Sequence, residues 1–572
     1  MILVPQARID DYTERGWWGS VTLWDLFIKN ARRQPDAEAV VDAPNRADFA
    51  HGAPRRLTWA QLAVEVDRFS LTLLGKGIAR DDVLVMQLPN CVEQFVVYLS
   101  CARLGIIVSP VPIQYREHEL AHVLHTTRAA AALTFSRMGK AGSAHDAAAM
   151  FAGLQSVHAA LREVLVWEDL ANNSISLDDL EVLKQAELAA NITANDVFTI
   201  CWTSGTEAQP KGVPRSHNEW LVVAPSIIEA ADIKPQARLL NPFPLVNMAG
   251  LSTAFASWLV LGGTVVQHQP FSLPVFLQQL RDEKIDYTVA PPAILNMLLQ
   301  NEALLVGIDF KRLCRIGSGS APLSDWMVRG FEEKHGVQIV NYFGSNEGAA
   351  LSGNHIDIPD PALRAQFFPR AGVTGYDWSI STTRKITTRL VDVLTGQDIT
   401  KAGIPGELRF AGPTIFSGYY AAPDVSQRAF DAQGFYKTGD LFEIAGDRLQ
   451  YYRYVGRSKD LVIRGGVNIS SEEIENLLLA CPGVREAAVV GVPDDVLGEK
   501  VCACVVPVDG QTVSLASLNA FLTDHKRIAR YKLPEYFLAL QALPRNPVGK
   551  ILKRELREQA KVLAARSKKE VA

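Results

Sequence analysis

The 572-residue sequence is poor in the features that mark special protein classes. Cysteine is scarce: the seven residues Cys91, Cys101, Cys201, Cys314, Cys481, Cys502 and Cys504 are scattered and odd in number. A disulfide scaffold is excluded, and thiols buried in a reducing compartment are expected. Cys502 and Cys504 alternate within a strand-like run, and no second pair completes a zinc-site pattern. Net charge is nearly absent, since 58 basic residues against 62 acidic ones leave −4. No general attraction to nucleic acid or to an anionic membrane follows, and neither is expected as a partner.

Long apolar runs are missing as well. The longest uncharged stretch, 239–280, is broken by Pro242, Pro244, Gly250, Gly262, Gly263, Pro270 and Pro274, whereas a membrane span needs about 20 predominantly apolar residues in one helix. The opening segment MILVPQARIDDYTERGWW carries Asp10 and Asp11 where a signal peptide would have a basic start and an apolar core. No integral membrane association and a cytoplasmic location are expected. What remains is a chain with 48% hydrophobic and 21% charged residues, the balance of a globular protein, and long enough for two or more cores.

Between residues 56 and 135, helical patterns (LTWAQLAVEVDRFSLTLLGKG, CVEQFVVYLSCARLG) alternate with short apolar strands (VLVMQL, IIVSPVPI). That rhythm predicts a parallel sheet with crossover helices. It returns in TVVQHQ, a helix over 275–283, YTVAPP, a helix over 292–304, and RLCRIGSGS. From about residue 384 short β-rich pieces (TTRLVDVL, GELRFAGPTIFSGYY, LFEIAGDRLQYYRYVG) predict a small antiparallel barrel or sheet. After Val455 a compact α+β tail follows. Its first helix is announced by Ser470 as N-cap with Glu473 three residues on, a capping box.

An apolar strand, Thr199-Ile-Cys-Trp, runs into Thr203-Ser-Gly-Thr-Glu-Ala-Gln-Pro-Lys-Gly-Val213. Hydroxyls, glycines and a lysine after a buried strand let backbone N–H groups and side chains surround phosphate oxygens. It is not a Walker A loop, because no Gly precedes Lys211 and no Ser or Thr follows it. A polar strand-to-helix turn is the plain alternative for such a loop standing alone.

The loop does not stand alone. It resembles the signature of the acyl- and aryl-adenylating superfamily of acyl-CoA synthetases, luciferases and peptide-synthetase adenylation domains. In that family's order come Gly317-Ser-Gly-Ser-Ala-Pro-Leu323, Tyr342-Phe-Gly-Ser-Asn-Glu-Gly348, Gly406-Glu-Leu, Tyr436-Lys-Thr-Gly-Asp440, Gly456-Arg-Ser-Lys-Asp460 and Pro547-Val-Gly-Lys-Ile551. The resemblance covers essentially the whole chain. It implies an α/β fold: a large N-terminal adenylate-forming domain, 1–458, of two parallel α/β subdomains plus a small β-barrel, and a small mobile α+β C-terminal domain, 459–572.

The resemblance also implies roles. The carboxylate of a small-molecule acid attacks the α-phosphorus of ATP, pyrophosphate leaves, and the acyl group passes to the thiol of CoA. Two anions must meet, so the site has to offset negative charge. Thr203, Ser204, Gly205 and Thr206 would hold the β- and γ-phosphates with Lys211 beside them, and Glu347 would hold Mg²⁺, a hard cation suited to oxygen ligands. Gly319, Ser320, Ala321, Phe343, Gly344 and Asn346 would lie around the adenine and the nucleotide. Asp440 would accept from the ribose hydroxyls, and Arg457 would reach ribose or phosphate. Lys550 matches the adenylation lysine, Lys459 the hinge, and Arg464, Gly465 and Gly466 the lining of the pantetheine tunnel. A homodimer is left open.

One motif competes. His118-Glu-Leu-Ala-His122 is an H-E-x-x-H pattern, the zincin signature, but its metzincin extension fails at His125 and Arg128. The segment also matches the stretch of adenylating enzymes where a Glu-Leu pair opens a helix, and both histidines are expected as partly exposed helix residues. The basic stretch 550–572 lacks interleaved aromatics and is expected to be a solvated helix end.

By the same resemblance the acid lies beside Asn247, Met248, Gly250, Leu251 and Ser252, and beside Gly317, Ser318 and Gly319. These offer apolar, small and amide groups with no Lys or Arg, so an uncharged, fairly wide acyl group is implied. The entry Tyr12-Thr-Glu-Arg-Gly-Trp-Trp18 and Asn247 resemble dihydroxybenzoate and salicylate adenylating enzymes, but Val246 stands where those have His. That departure leans toward a less polar ring, as in aromatic or cyclohexanecarboxylate-type CoA ligases, with medium-chain fatty acids as the competitor. An aryl acid adenylating enzyme that loads a carrier protein is the alternative.

Overall fold

The computed structural model describes residues 1–139, 145–170, 173–203, 210–464, 467–494, 497–526, 528, 530–545 and 551–571, with the backbone alone at 459, 467–468 and 565–571. The chain divides into two compact units, Met1–Thr388 with Phe410–Tyr436, and Arg389–Arg409 with Lys437–Ala572.

Among the described residues, the first unit is built on two sheets. One has six strands in the order Lys211–Ser216, Val197–Thr203, Ile107–Pro110, Val83–Gln87, Ala131–Thr134 and Glu163–Val166. All its neighbours are parallel except the hairpin partner Lys211–Ser216. The other has eight, ordered Ala350–Gly353, Gln338–Gly344, Arg315–Gly319, Tyr287–Val289, Arg238–Asn241, Thr264–Gln267, Glu38–Val41 and Arg56–Thr58, with antiparallel strands only at its two edges. Strands covered on both faces read as continuous apolar runs. Val83–Gln87 and Ile107–Pro110 are buried at every position.

The crossover helices carry their own punctuation. The helix Trp59–Gly75 starts from Thr58, whose side chain accepts from the backbone N–H of Gln61 in a capping box. The helix Val92–Leu104 is buried all round and ends on Gly105 in the left-handed conformation. Trp59 stacks on Trp258 at 4.6 Å and Phe95 meets the same Trp258 ring edge-on at 5.1 Å, which ties both helices into one large apolar cluster. The α/β reading of 56–135 and 264–320 is what the molecule forms.

In the second unit, strands Gly406–Ala411, Tyr436–Ala445 and Tyr451–Arg457 lie side by side. A further sheet follows, of Val467–Ile469, Val462–Arg464, Gly498–Pro507 and Val484–Asp494, with Tyr536–Ala539 parallel to Gly498–Pro507. Strand alternation sends Val501, Ala503 and Val505 to one face, under the helix Ser471–Leu479, and Cys502, Cys504 and Val506 to the other. The described cysteines are all free thiols, and all but Cys314 are buried.

Two details depart from the sequence reading. Ser470 caps its helix by accepting from Glu473 N–H at 3.2 Å, but the Glu473 carboxylate pairs with Lys532 at 2.7 Å, so only half of the capping box forms. The C-terminal basic stretch is not a solvated end: the helix Lys553–Val571 buries Leu556, Ala560 and Ala564 against the sheet. Its Lys553 pairs with Glu475 at 2.7 Å and Arg557 with Asp460 at 2.7 Å. Among the described residues no helix is long and apolar enough to cross a membrane.

Candidate active site

The loop expected to hold phosphate joins two antiparallel strands, not a strand and a helix, with Lys211 paired to Thr203 across the ladder. Its central residues Ser204, Gly205 and Thr206 lie outside the described residues, as do Gly465, Gly466 and Lys550. The hairpin base is set firmly. Lys211 Nζ sits 5.2 Å from the centroid of the Tyr419 ring, a cation–π contact, and the Tyr419 hydroxyl donates to Glu347 Oε1 at 2.9 Å. Thr203, Lys211, Tyr419 and Glu347 are thereby linked at one end of the strand pair. Sequence reasoning missed Tyr419; the one available signal was the aromatic pair Tyr419-Tyr420 after Gly418.

Glu347 lies in the tight turn between Gln338–Gly344 and Ala350–Gly353, and only 7% of its surface is exposed. Gly348 is required in this turn, because it takes φ +98° and a Cβ there would fall 1.8 Å from the Thr414 carbonyl oxygen. Among the described residues Oε2 of Glu347 accepts from no donor, so this carboxylate has an oxygen to offer a hard cation.

Asn346 ties the turn to two other segments. Its Oδ1 accepts from Met248 N–H at 2.7 Å, and its Nδ2 donates to the Trp202 carbonyl at 3.2 Å. The side-chain amide expected beside the nucleotide is thus engaged by protein, and it connects the end of the phosphate strand to the segment expected around the acid. Arg215, also missed in the sequence, is fully buried below. It donates to the carbonyls of Asn346 at 3.2 Å, Glu219 at 2.8 Å and Thr414 at 3.0 Å, over the Trp220 ring. Burial pulls its guanidinium below the ordinary arginine value.

Asn247 caps the next helix, Oδ1 accepting from Gly250 N–H at 3.3 Å. Gly250 is required by contact, since a Cβ would lie 2.2 Å from the Pro244 carbonyl oxygen. The helix continues through Leu251–Ala256 with π-type bonding, a geometry common at functional sites. Met248 and Leu251 belong to the large apolar cluster, and Ser252 donates back to the Met248 carbonyl at 2.6 Å.

Along Arg315–Gly319 the alternation separates the expected acid residues. Ser318 turns to the face opposite Gly317 and Gly319, and its hydroxyl donates to the Ala290 carbonyl at 2.8 Å. Ser320 follows with φ +68° and is exposed, like Ala321 and Gly344. Phe343 is half-buried, edge-on to Phe368. In the H-E-x-x-H segment His118 is exposed, while His122 hydrogen-bonds the Pro210 carbonyl at 2.8 Å and lies edge-on to Trp202.

In the second unit Asp440 and Arg457 face each other across Tyr436–Ala445 and Tyr451–Arg457 and form an ion pair at 2.9 Å. Lys459 sits in the single 3-10 turn Ser458–Asp460 that follows. Glu472, at the start of the next helix, is pushed up to about 7 by burial and by Glu475, against the pull of Lys553.

A family model described as AMP-binding enzyme matches residues 27–420, and one described as AMP-binding enzyme C-terminal domain matches residues 473–550. The chain is 30% identical over 563 residues to the medium-chain fatty-acid–CoA ligase of Escherichia coli (strain K12), covering 97% of this chain and 93% of that protein. It is 31% identical to the 2-hydroxy-7-methoxy-5-methyl-1-naphthoate–CoA ligase of Streptomyces carzinostaticus, covering 96% and 95%. Among solved structures, ATP-bound MatB from Rhodopseudomonas palustris shares the fold with a TM-score of 0.75 at 25% identity, over 95% of this chain and 99% of that one.

Proposed function

This chain belongs to the AMP-binding enzyme family of acyl- and aryl-adenylating proteins, and from that premise we propose that it is an AMP-forming carboxylic acid:CoA ligase. It takes an uncharged acid, cyclic or of medium chain length. The carboxylate oxygen attacks the α-phosphorus of ATP and the bond to pyrophosphate breaks. The CoA sulfur then attacks the acyl carbon of the mixed anhydride, AMP leaves, and the thiol proton is released to solvent. The observation that carries this reading is the chain of contacts from Lys211 through Tyr419 to Glu347 beside the phosphate hairpin, with Asn346 joining that end to Met248.

Each residue then has a task. Thr203, with Ser204, Gly205 and Thr206, cradles the β- and γ-phosphates, and Lys211 offsets their charge. Glu347, with one oxygen free of described donors, would hold Mg²⁺ arriving with ATP, and the ion would supply charge neutralisation for the pyrophosphate leaving group. Asp440, oriented by Arg457, accepts from the ribose. Lys550 bridges the carboxylate and the α-phosphate, and Lys459 is the pivot between 1–458 and 459–572. The relatives named for a naphthoate and for medium-chain fatty acids bracket the acid class. The buried free thiols suit a reducing cytoplasm.

Mass spectrometry of products from enzyme, Mg-ATP, CoA and a panel of aryl, alicyclic, fatty and hydroxybenzoic acids tests this. Acyl-CoA with AMP is expected. Acyl-AMP without acyl-CoA would move the assignment to an aryl acid adenylating enzyme that loads a carrier protein, and no adenylate with any acid would remove the ligase reading.

A further inference from the structure

The glycines of Arg315–Gly319 do not leave open space beside the acid segment. A Cβ on Gly317 would fall 2.4 Å from the Tyr287 hydroxyl, 2.6 Å from Cε2 of Tyr342 and 2.8 Å from Cγ1 of Val289. One on Gly319 would fall 2.3 Å from the Tyr342 carbonyl oxygen and 3.2 Å from Tyr342 Cβ. The Tyr342 side chain therefore runs along the strand from Gly319 to Gly317, and its ring edge takes the room a side chain at 317 would need. Tyr287, from the neighbouring strand, meets it there and donates to the Tyr342 hydroxyl at 3.1 Å. A pair of phenols stands beside these glycines, where the sequence implied only apolar, small and amide groups.

Two hydroxyls bring two protons, and the bond between them uses one. Tyr287 is fully buried and spends its proton on Tyr342, which among the described residues has no acceptor for its own. Burial raises both phenols far above neutral pH, so both protons stay in place. Val289 reaches the same point beside Gly317, and Tyr342 packs half-buried against the large apolar cluster that includes Tyr287 and Val289. A ligand that reaches this hydroxyl meets one neutral donor set in apolar packing, the arrangement that fixes orientation in small-molecule sites. A hydrocarbon group would leave the donor unpaired after expelling its water, whereas a hydroxyl, alkoxy or keto oxygen would accept from it.

We infer that Tyr342, set in place by Tyr287, is a specificity-determining donor that favours acids carrying a hydrogen-bond-accepting oxygen on the acyl group over hydrocarbon acids of similar size. This rests on the adenylation reading above, in which the acid lies beside Gly317.

ATP–pyrophosphate exchange with matched acids separates the two. The pairs are benzoate against 3- and 4-methoxybenzoate, and cyclohexanecarboxylate against 4-oxocyclohexanecarboxylate. The wild type is expected to favour the oxygenated member of at least one pair by about tenfold in kcat/KM, the scale of one neutral hydrogen bond. Tyr342→Phe, which keeps the ring, is expected to bring that ratio to about one. Tyr287→Phe, which leaves the Tyr342 proton in place, is expected to keep more of it. A wild type that exchanges with acids but prefers none of the oxygenated members overturns the inference and leaves the ligase reading standing. So does a Tyr342→Phe variant in which both members of a pair fall by the same factor. Exchange with no acid at all overturns the ligase reading and the inference together.

Discussion

Buried polar groups are held in opposite ways around the phosphate hairpin and along the strand Tyr451–Arg457. Near the hairpin several hydrogen-bond partners are neutral: Arg215 donates to three backbone carbonyls, with Glu219 and Glu347 acting on it only through space, and Asn346 uses both ends of its amide. Along the strand they are ionic: Asp440 with Arg457, Glu475 with Lys553, and Asp460 with Arg557. Neutral partners keep their geometry whatever the pH or salt, whereas carboxylate partners change with both. The neutral bonds near the hairpin are thus expected to persist across pH and salt, and the ion pairs beside the strand to weaken with them.

The largest effect is expected where the hairpin does carry a carboxylate. Glu347→Gln keeps an oxygen for the Tyr419 hydroxyl but removes the charge. Single-turnover pyrophosphate release at saturating Mg-ATP should fall by about 10²- to 10³-fold, the usual loss when a positioned charge is removed from a reacting site. A loss below tenfold would take Glu347 out of the chemistry.

Arg215→Ala sharpens the contrast from the neutral side. It strands the carbonyls of Asn346, Glu219 and Thr414 and opens a cavity beside Trp220. The expected cost is about 3 kcal/mol in urea unfolding, nearly the same at low and high salt and between pH 6 and 8. A cost that shrinks as salt rises would show that the guanidinium is held by charge after all. Asn346→Ala should cost less, about tenfold in kcat/KM for the acid, because it frees the Met248 N–H and the Trp202 carbonyl without emptying the core.

The sequence made the strands and helices of the first unit legible because buried parallel strands are short and apolar and their helices are capped, as at Thr58 and Gly105. The motif residues Thr203, Lys211, Glu347 and Asp440 were singled out by the order and residue types of the motifs they resemble, and the structure links the first three at one end of the strand pair. Their partners were not. Tyr419 lies 72 positions from Glu347, and Arg215 stands in a strand whose pattern says nothing of three distant carbonyls. Gly317 read as a small group beside a fairly wide acid, because a sequence shows that a side chain is missing but not that Tyr287 and Tyr342 take the room it would need. The C-terminal helix misled by its charge: Lys553 and Arg557 are spent on Glu475 and Asp460 while Leu556 and Ala560 supply the packing.

The smallest expected effect belongs to the ionic region and is read by pH. Glu472 faces Tyr454, Glu475, Lys553 and Asp440, and burial with the nearby Glu475 pushes it up to about 7. An unfolded chain releases this proton near the ordinary glutamate value, while the native state keeps it to about 7. Between those values the native state binds more protons, so the group's contribution is complete at low pH and is lost as pH rises through 7. Glu472→Gln, which cannot ionise, should lie nearest the wild type at pH 5, the low end of the range, and draw away as pH rises toward 7. At pH 8 it should exceed the wild type by about 1–2 kcal/mol, after a discount for the group's half-buried position beside a lysine. Urea midpoints at pH 5, 6, 7 and 8 measure this. Parallel curves for the two proteins would mean that Lys553 already compensates Glu472, and the contrast with the hairpin would then rest on Asp440, Asp460 and Glu475 alone.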